Sequence, residues 1–132
     1  MIVAGVGCRR GAPAADIEAA VRAALARANI SADALDVIAT IAAKRGEAGI
    51  HTVAEKLGLS IMAVSEADLK TAIDRAETRS ERVLALTGVP SVAETAALAA
   101  AGPAARLISP RLVVGAATCA LAASKQVPGG AR

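Results

Sequence analysis

Apolar positions arrive along this chain in two alternating rhythms. Apolar runs at Met1 to Val6, Val37 to Ile41 and Leu59 to Val64 read as strands, the first with the pattern of a strand buried on both faces of a parallel sheet. Between them, apolar residues return at helical spacing. Ile17, Val21, Ala24, Leu25 and Ala28 form one stripe. Ile50, Val53, Ala54 and Leu57 form a second, in a helix expected over Lys44 to Leu57, and Leu69, Ala72 and Ile73 a third. The punctuation agrees. Pro13 suits a first helical turn, with Asp16 and Glu18 on the favourable side of the dipole. Asn29 and Gly58 are stop signals. Ser31 can cap a short turn through Leu35, Asp36 precedes the second strand, and Ser65 is an N-cap with Glu66 and Asp68 behind it.

Further along, Thr78 to Thr87 fits either helix or loop, and Gly88-Val89-Pro90 is a break. Ser91 followed by Glu94 is a capping box that opens a helix over Val92 to Ala101, stopped by Gly102-Pro103. Leu107-Ile108 and Leu112 to Ala123 are the last strand candidates, the long one free to join the sheet in either direction. The alternation predicts an α/β fold: a single-domain layered sandwich over residues 1–124, with a mostly parallel sheet flanked by helices. The tail 125–132, with Val127-Pro128-Gly129-Gly130, is expected to be disordered.

Composition narrows the function. The 132 residues include no Phe, Trp or Tyr, so the core must be Ala, Val, Leu and Ile, with helices close to the sheet and any pocket aliphatic and polar. Single-strand nucleic-acid binders stack bases on aromatic rings. The net charge of +3 is modest, and Lys44, Arg45 and Glu47, or Arg75, Glu77, Arg79, Glu81 and Arg82, alternate in sign as solvated faces do. Nucleic acid is therefore not the expected partner. The longest nearly uncharged run, Leu112 to Ser124, reads as a buried strand; a bilayer span needs ~20 apolar residues. No signal peptide is visible, so a cytoplasmic protein away from membranes is expected. Cys8 and Cys119 fit a reducing compartment. Neither has a Cys or His at ligand spacing, and His51 is the only histidine, so no metal is expected.

The chemistry concentrates in Gly5-Val6-Gly7-Cys8-Arg9-Arg10-Gly11. A strand that runs into a glycine-rich, doubly basic turn before a helix is a common way to build an anion site. Forked guanidinium donors suit carboxylate or phosphate. The glycine spacing is one residue longer than the dinucleotide pattern, no acid stands near position 25, and the P-loop ending is missing. The plainer alternative is a tight turn with a solvated arginine pair. Cys8, beside Arg9 and near a helix start, would have a favoured thiolate, or it is simply a small packed residue, as Cys119 is. Lys44, Glu47 and His51 make an i, i+3, i+7 row suited to acid–base work, or an exposed pair at a helix start. Ser91 and Glu94 are explained as a cap, yet their loop, Thr87 to Ser91, is expected at the same sheet edge as the first loop. Thr118 needs a partner for its hydroxyl, inside the fold or in a pocket.

Taken as a set, four segments carry a family resemblance: the opening loop, Lys44-Arg45-Gly46-Glu47, Gly88-Val89-Pro90-Ser91-Val92-Ala93-Glu94-Thr95-Ala96-Ala97-Leu98, and Thr118-Cys119-Ala120. Their order and spacing over about residues 2–124 resemble the CobE/CbiG C-terminal domain family of cobalamin biosynthesis. The resemblance implies a role in building the corrin ring. In two-part relatives this domain follows another, and the whole protein opens a δ-lactone on a cobalt-precorrin and releases a two-carbon aldehyde. Here the chain starts at the glycine loop, as in stand-alone members that resemble those of the oxygen-dependent pathway.

The leading expectation is binding of an anionic precorrin or corrin intermediate, with no cofactor of the protein's own. Its contacts would be Gly5, Gly7, Cys8, Arg9, Arg10, Gly11, Lys44, Ser91 and Thr118. A second reading is a hydrolase that opens a lactone on such an intermediate, with Glu47 or Glu94 as the base and loop amides facing the oxyanion. A third is a docking subunit for other cobalamin-pathway enzymes.

Overall fold

Strand β1 (Ile2–Cys8) occupies the middle of a five-stranded sheet and is buried along almost its whole length. The computed structural model describes residues 1–72 and 92–124. After β1 come α1 (Ala14–Ala28), β2 (Val37–Ile41), α2 (Ala48–Leu57), β3 (Ser60–Val64) and α3 (Glu66–Ala72), then α4 (Val92–Ala101), β4 (Arg106–Val114) and β5 (Ala117–Ala123). Ile73, Thr78 to Thr87, Gly88-Val89-Pro90, Ser91 and the tail 125–132 lie outside the described residues.

The sheet order is β3-β2-β1-β5-β4. β1 pairs parallel with β2, and β2 with β3, while β5 runs antiparallel to both of its neighbours. The fold is the expected α/β sandwich, with the sheet mixed by that one reversed strand. Ile2, Ala4, Val6 and Ile38 pack with α1 and α2 on one face. Val3, Val37, Ala39 and Ala122 pack with α3 and α4 on the other.

Two expected elements differ. Leu112 to Ala123 is a hairpin and not a single strand: Val114 pairs with Ala117 across Gly115-Ala116, with Gly115 at φ +56°. A two-residue hairpin turn can open on a single glycine. Apolar residues on both sides of this one hid it among strand residues. The helix expected from Lys44 starts instead at Ala48. A 3-10 turn covers Ala42–Lys44, and Glu47 is extended at φ −70°, ψ 120°.

β1 also continues two residues beyond Val6, because β5 pairs with it from Ile2↔Ala123 to Cys8↔Ala117. Gly5 and Gly7 are therefore strand residues. A Cβ on Gly5 would strike the Ala93 carbonyl and Ala97 of α4. That helix buries Ala93, Ala96, Ala97 and Leu98 against the sheet, the close approach that a core without aromatics demands. The caps follow the sequence. Asn29 (φ +60°) and Gly58 (φ +70°) end α1 and α2, and Ser65 Oγ accepts from Asp68 N at 3.2 Å. Pro13 sits one residue before the first of α1.

Candidate functional site

From β1 the chain crosses through α1 to β2 on one side, while β5 and β4 close the other, so the winding reverses beside the carboxyl end of β1. Crevices outside such a reversal are the usual ligand sites of α/β sheets. The residues gathered there are Cys8 to Gly11, Lys44 to Glu47 after β2, the start of α4 and the β4–β5 turn.

The loop after Cys8 is anchored by its backbone. Arg9 N donates to Ala116 O at 3.0 Å, and Ala12 N closes a turn on Arg9 O at 3.0 Å. Gly11 takes φ +73°, which favours glycine, and its amide donates to Glu47 Oε1 at 2.9 Å. Because Glu47 is extended and makes no cap to its own helix, its side chain is free to reach this loop. Lys44 Nζ stands 3.9 Å from Glu47 Oε2. Arg9, Arg10 and Arg45 are exposed and form no ion pair with any described residue. The result is a rigid backbone carrying unneutralised guanidinium groups, an arrangement that suits carboxylates.

The other expected site residues are distributed unevenly. Thr118 Oγ1 donates to Gly7 O at 3.3 Å, which partners the hydroxyl inside the fold. Gly5 is buried under α4. The expected thiolate at Cys8 is not favoured. Half-burial pushes its pKa up, the Glu47 carboxylate raises it further, and Lys44 opposes them more weakly. Lys44 belongs to the 3-10 turn, so Lys44, Glu47 and His51 do not share one helical face; the His51 ring Nε2 meets Arg45 O at 2.6 Å. Glu94 is fully buried on α4, and its Oε2 accepts the Arg111 amide at 2.9 Å beside the irregular stretch of β4.

A separate open groove of about 510 Å³ lies between α2 and β3, lined by His51, Thr52, Glu55 and Ile61 among others, away from the arginine loop. Among the described residues, no cluster of His, Cys, Asp or Glu could hold a metal, and no helix is long and apolar enough to cross a membrane.

From the sequence Asp16 is only a carboxylate on the favourable side of the α1 dipole. Its Oδ2 accepts Ala116 N at 3.0 Å, from the turn that holds Arg9. Nothing in the sequence marks that link, because the turn itself was hidden. Asp36, which accepts the Ile2 amide at 2.7 Å, and Thr40, which donates to Val6 O at 2.8 Å, likewise tie β1 in place.

Residues 2–122 match the family described as cobalamin synthesis G C-terminus. The chain is 36% identical over 121 residues to protein CobE of Sinorhizobium sp., which covers 92% of this chain and 79% of that protein. It is 31% identical over 102 residues to a cobalt-precorrin-5A hydrolase of Priestia megaterium; these are 77% of this chain but only 27% of the hydrolase. A crystal structure of CobE superposes with a TM-score of 0.86 at 35% identity, covering 92% of this chain and 89% of that one. The cobalamin biosynthesis protein chiG of Agrobacterium tumefaciens superposes with a TM-score of 0.75 at 44% identity, covering 96% of this chain and all of that one. Its sequence, its sheet and its helices thus agree on one assignment: the chain belongs to the CobE/CbiG C-terminal domain family of cobalamin biosynthesis.

Proposed function

We propose that this protein binds an anionic precorrin or corrin intermediate at the Arg9–Arg10 loop. One observation carries the reading: two exposed arginines without ion-pair partners among the described residues stand on an anchored turn where the sheet's winding reverses. Such an intermediate carries acetate and propionate arms around an apolar ring. The guanidinium groups and Lys44 suit the arms, and the exposed alanines 42, 43 and 48 beside them suit the ring edge. The backbone of Cys8 to Gly11 forms the floor of this site, with Gly7 and Thr118 behind it. Pathway membership and the likeness to CobE support a ligand of this class.

Hydrolysis finds less support. A base must reach water beside the substrate, yet Glu94 is enclosed and holds the Arg111 amide, and Glu47 is committed to Gly11. The docking-subunit reading predicts no affinity for free corrinoid at all.

The test is the Arg9→Ala, Arg10→Ala double variant. Hydrogen bonds to charged groups contribute about 1.5–3 kcal/mol each, so losing both arginines should weaken binding by about 100-fold or more. The thermal transition should stay in place, since neither side chain packs in the core. Undiminished affinity in the double variant would remove the arginines from the site.

A further inference from the structure

We infer that Asp16 is a positioning residue for Arg9, acting through the backbone of Ala116. Three links form the chain of contacts. Asp16 Oδ2 accepts Ala116 N at 3.0 Å, Ala116 O accepts Arg9 N at 3.0 Å, and Arg9 begins the turn closed by Ala12 N on Arg9 O. Both hydrogen-bonding groups flanking Ala116 are thus used, one on the α1 side and one on the loop side. A carboxylate in the first turn of α1 thereby fixes the backbone from which the first guanidinium projects.

Two glycines make the approach possible. Gly115, at φ +56°, would bear a Cβ directly against the Asp16 carboxylate, so any side chain there would push the clamp open. On the opposite flank, a Cβ on Gly49 would lie 2.7 Å from Ala12 O and 2.8 Å from Ile17 Cδ1. Glycine at that position lets the first turn of α2 seat against the first turn of α1. The start of α1 is therefore held between the β4–β5 turn and α2, and Glu47 grips Gly11 from the α2 side. Arg9 and Arg10 lie between two carboxylate anchors, Asp16 within α1 and Glu47 just before α2. The backbone that carries the two cations is thereby held at both ends.

The consequence for ligand binding rests on the corrinoid reading above, whereas the positioning of the loop does not, and the experiment separates them. Amide exchange of Arg9 and Gly11 is followed by NMR in wild type, Asp16→Ala and Asp16→Asn, alongside titration with a metal-free corrin intermediate. The Asn variant keeps an oxygen acceptor while losing the charge that favours a helix start. Faster exchange of Arg9 in Asp16→Ala, with Gly11 unchanged and Arg9 protection retained in Asp16→Asn, is expected. Corrin affinity should fall roughly tenfold in Asp16→Ala, the scale on which outer positioning partners act. It should fall no further when Asp16→Ala is added to Arg9→Ala, because the two act through one contact. An unchanged Arg9 amide, or equal loss of protection at both amides, overturns the clamp whether or not corrin binds. Altered exchange with full affinity, or additive losses with Arg9→Ala, overturns its role in binding. If wild type binds no corrin but Arg9 exchange responds as described, the clamp stands and the corrinoid reading falls.

Discussion

Cys8 and Cys119 lie close together in the sheet, since Val6 pairs with Cys119 and Cys8 with Ala117, yet their surroundings set different chemistry. Cys119 is fully buried, and burial alone pushes its thiol up to about 12. The unfolded chain would release that proton near the ordinary thiol value of 9.0, so the folded state binds the extra proton between about 9 and 12. Stability from this group is complete below the unfolded value and declines as pH rises through that window. Cys119→Ala should therefore flatten the alkaline fall of the urea midpoint between pH 9 and 12. An identical fall in the variant would assign the loss to other groups. Cys8 shifts in the same direction but is only half-buried, and the nearby Glu47 carboxylate contributes to its shift. Its thiol form dominates at neutral pH, which fits a packing residue at the rim of the site better than a nucleophile. Glu47 is the residue whose meaning changes most. On paper it stood on a helix face with Lys44 and His51; in the fold it holds Gly11.

Among the elements, the contact of α4 with β1 sets the tightest tolerance. Gly5 faces the Ala93 carbonyl with no room for a methyl group. Gly5→Ala must separate helix from strand, and overpacking of this kind costs ~1–3 kcal/mol, occasionally more. A drop of that size in the denaturant midpoint is expected, and an unchanged midpoint would mean that α4 does not sit this close. Here the limits of the sequence are physical. Helices α1 and α2 were legible because Ile17, Val21, Leu25, Ile50 and Val53 mark one face at period 3.6, and Asn29 and Gly58 mark the ends. The glycines of β1 read as a loop because nothing local distinguishes a glycine needed for φ from one needed for close packing. Gly115 carries no turn signature for the converse reason: a single glycine can make a hairpin turn without any polar residue beside it.

For the whole molecule, the family and the α/β architecture were legible, since they rest on patterns and motifs in fixed order along the chain. The support beneath the arginine loop was not. Asp16 meets Ala116 across 100 residues, a contact created only by the tertiary fold. The arrangement that results places cations on a fixed backbone at the sheet's reversal point, and in a chain lacking aromatic residues the surroundings are aliphatic. The central claim is that this surface holds a carboxylate-rich ring without altering it. The most direct measurement is a visible-spectrum titration of the purified protein with a late metal-free precorrin or corrin intermediate, with the mass of the recovered ligand determined afterwards. No side chain of the protein absorbs visible light, so the signal is the ligand's own. The account predicts a saturable spectral shift and a ligand recovered at unchanged mass. A mass change matching ring opening would contradict it in favour of catalysis, and the absence of any shift would contradict corrinoid binding itself.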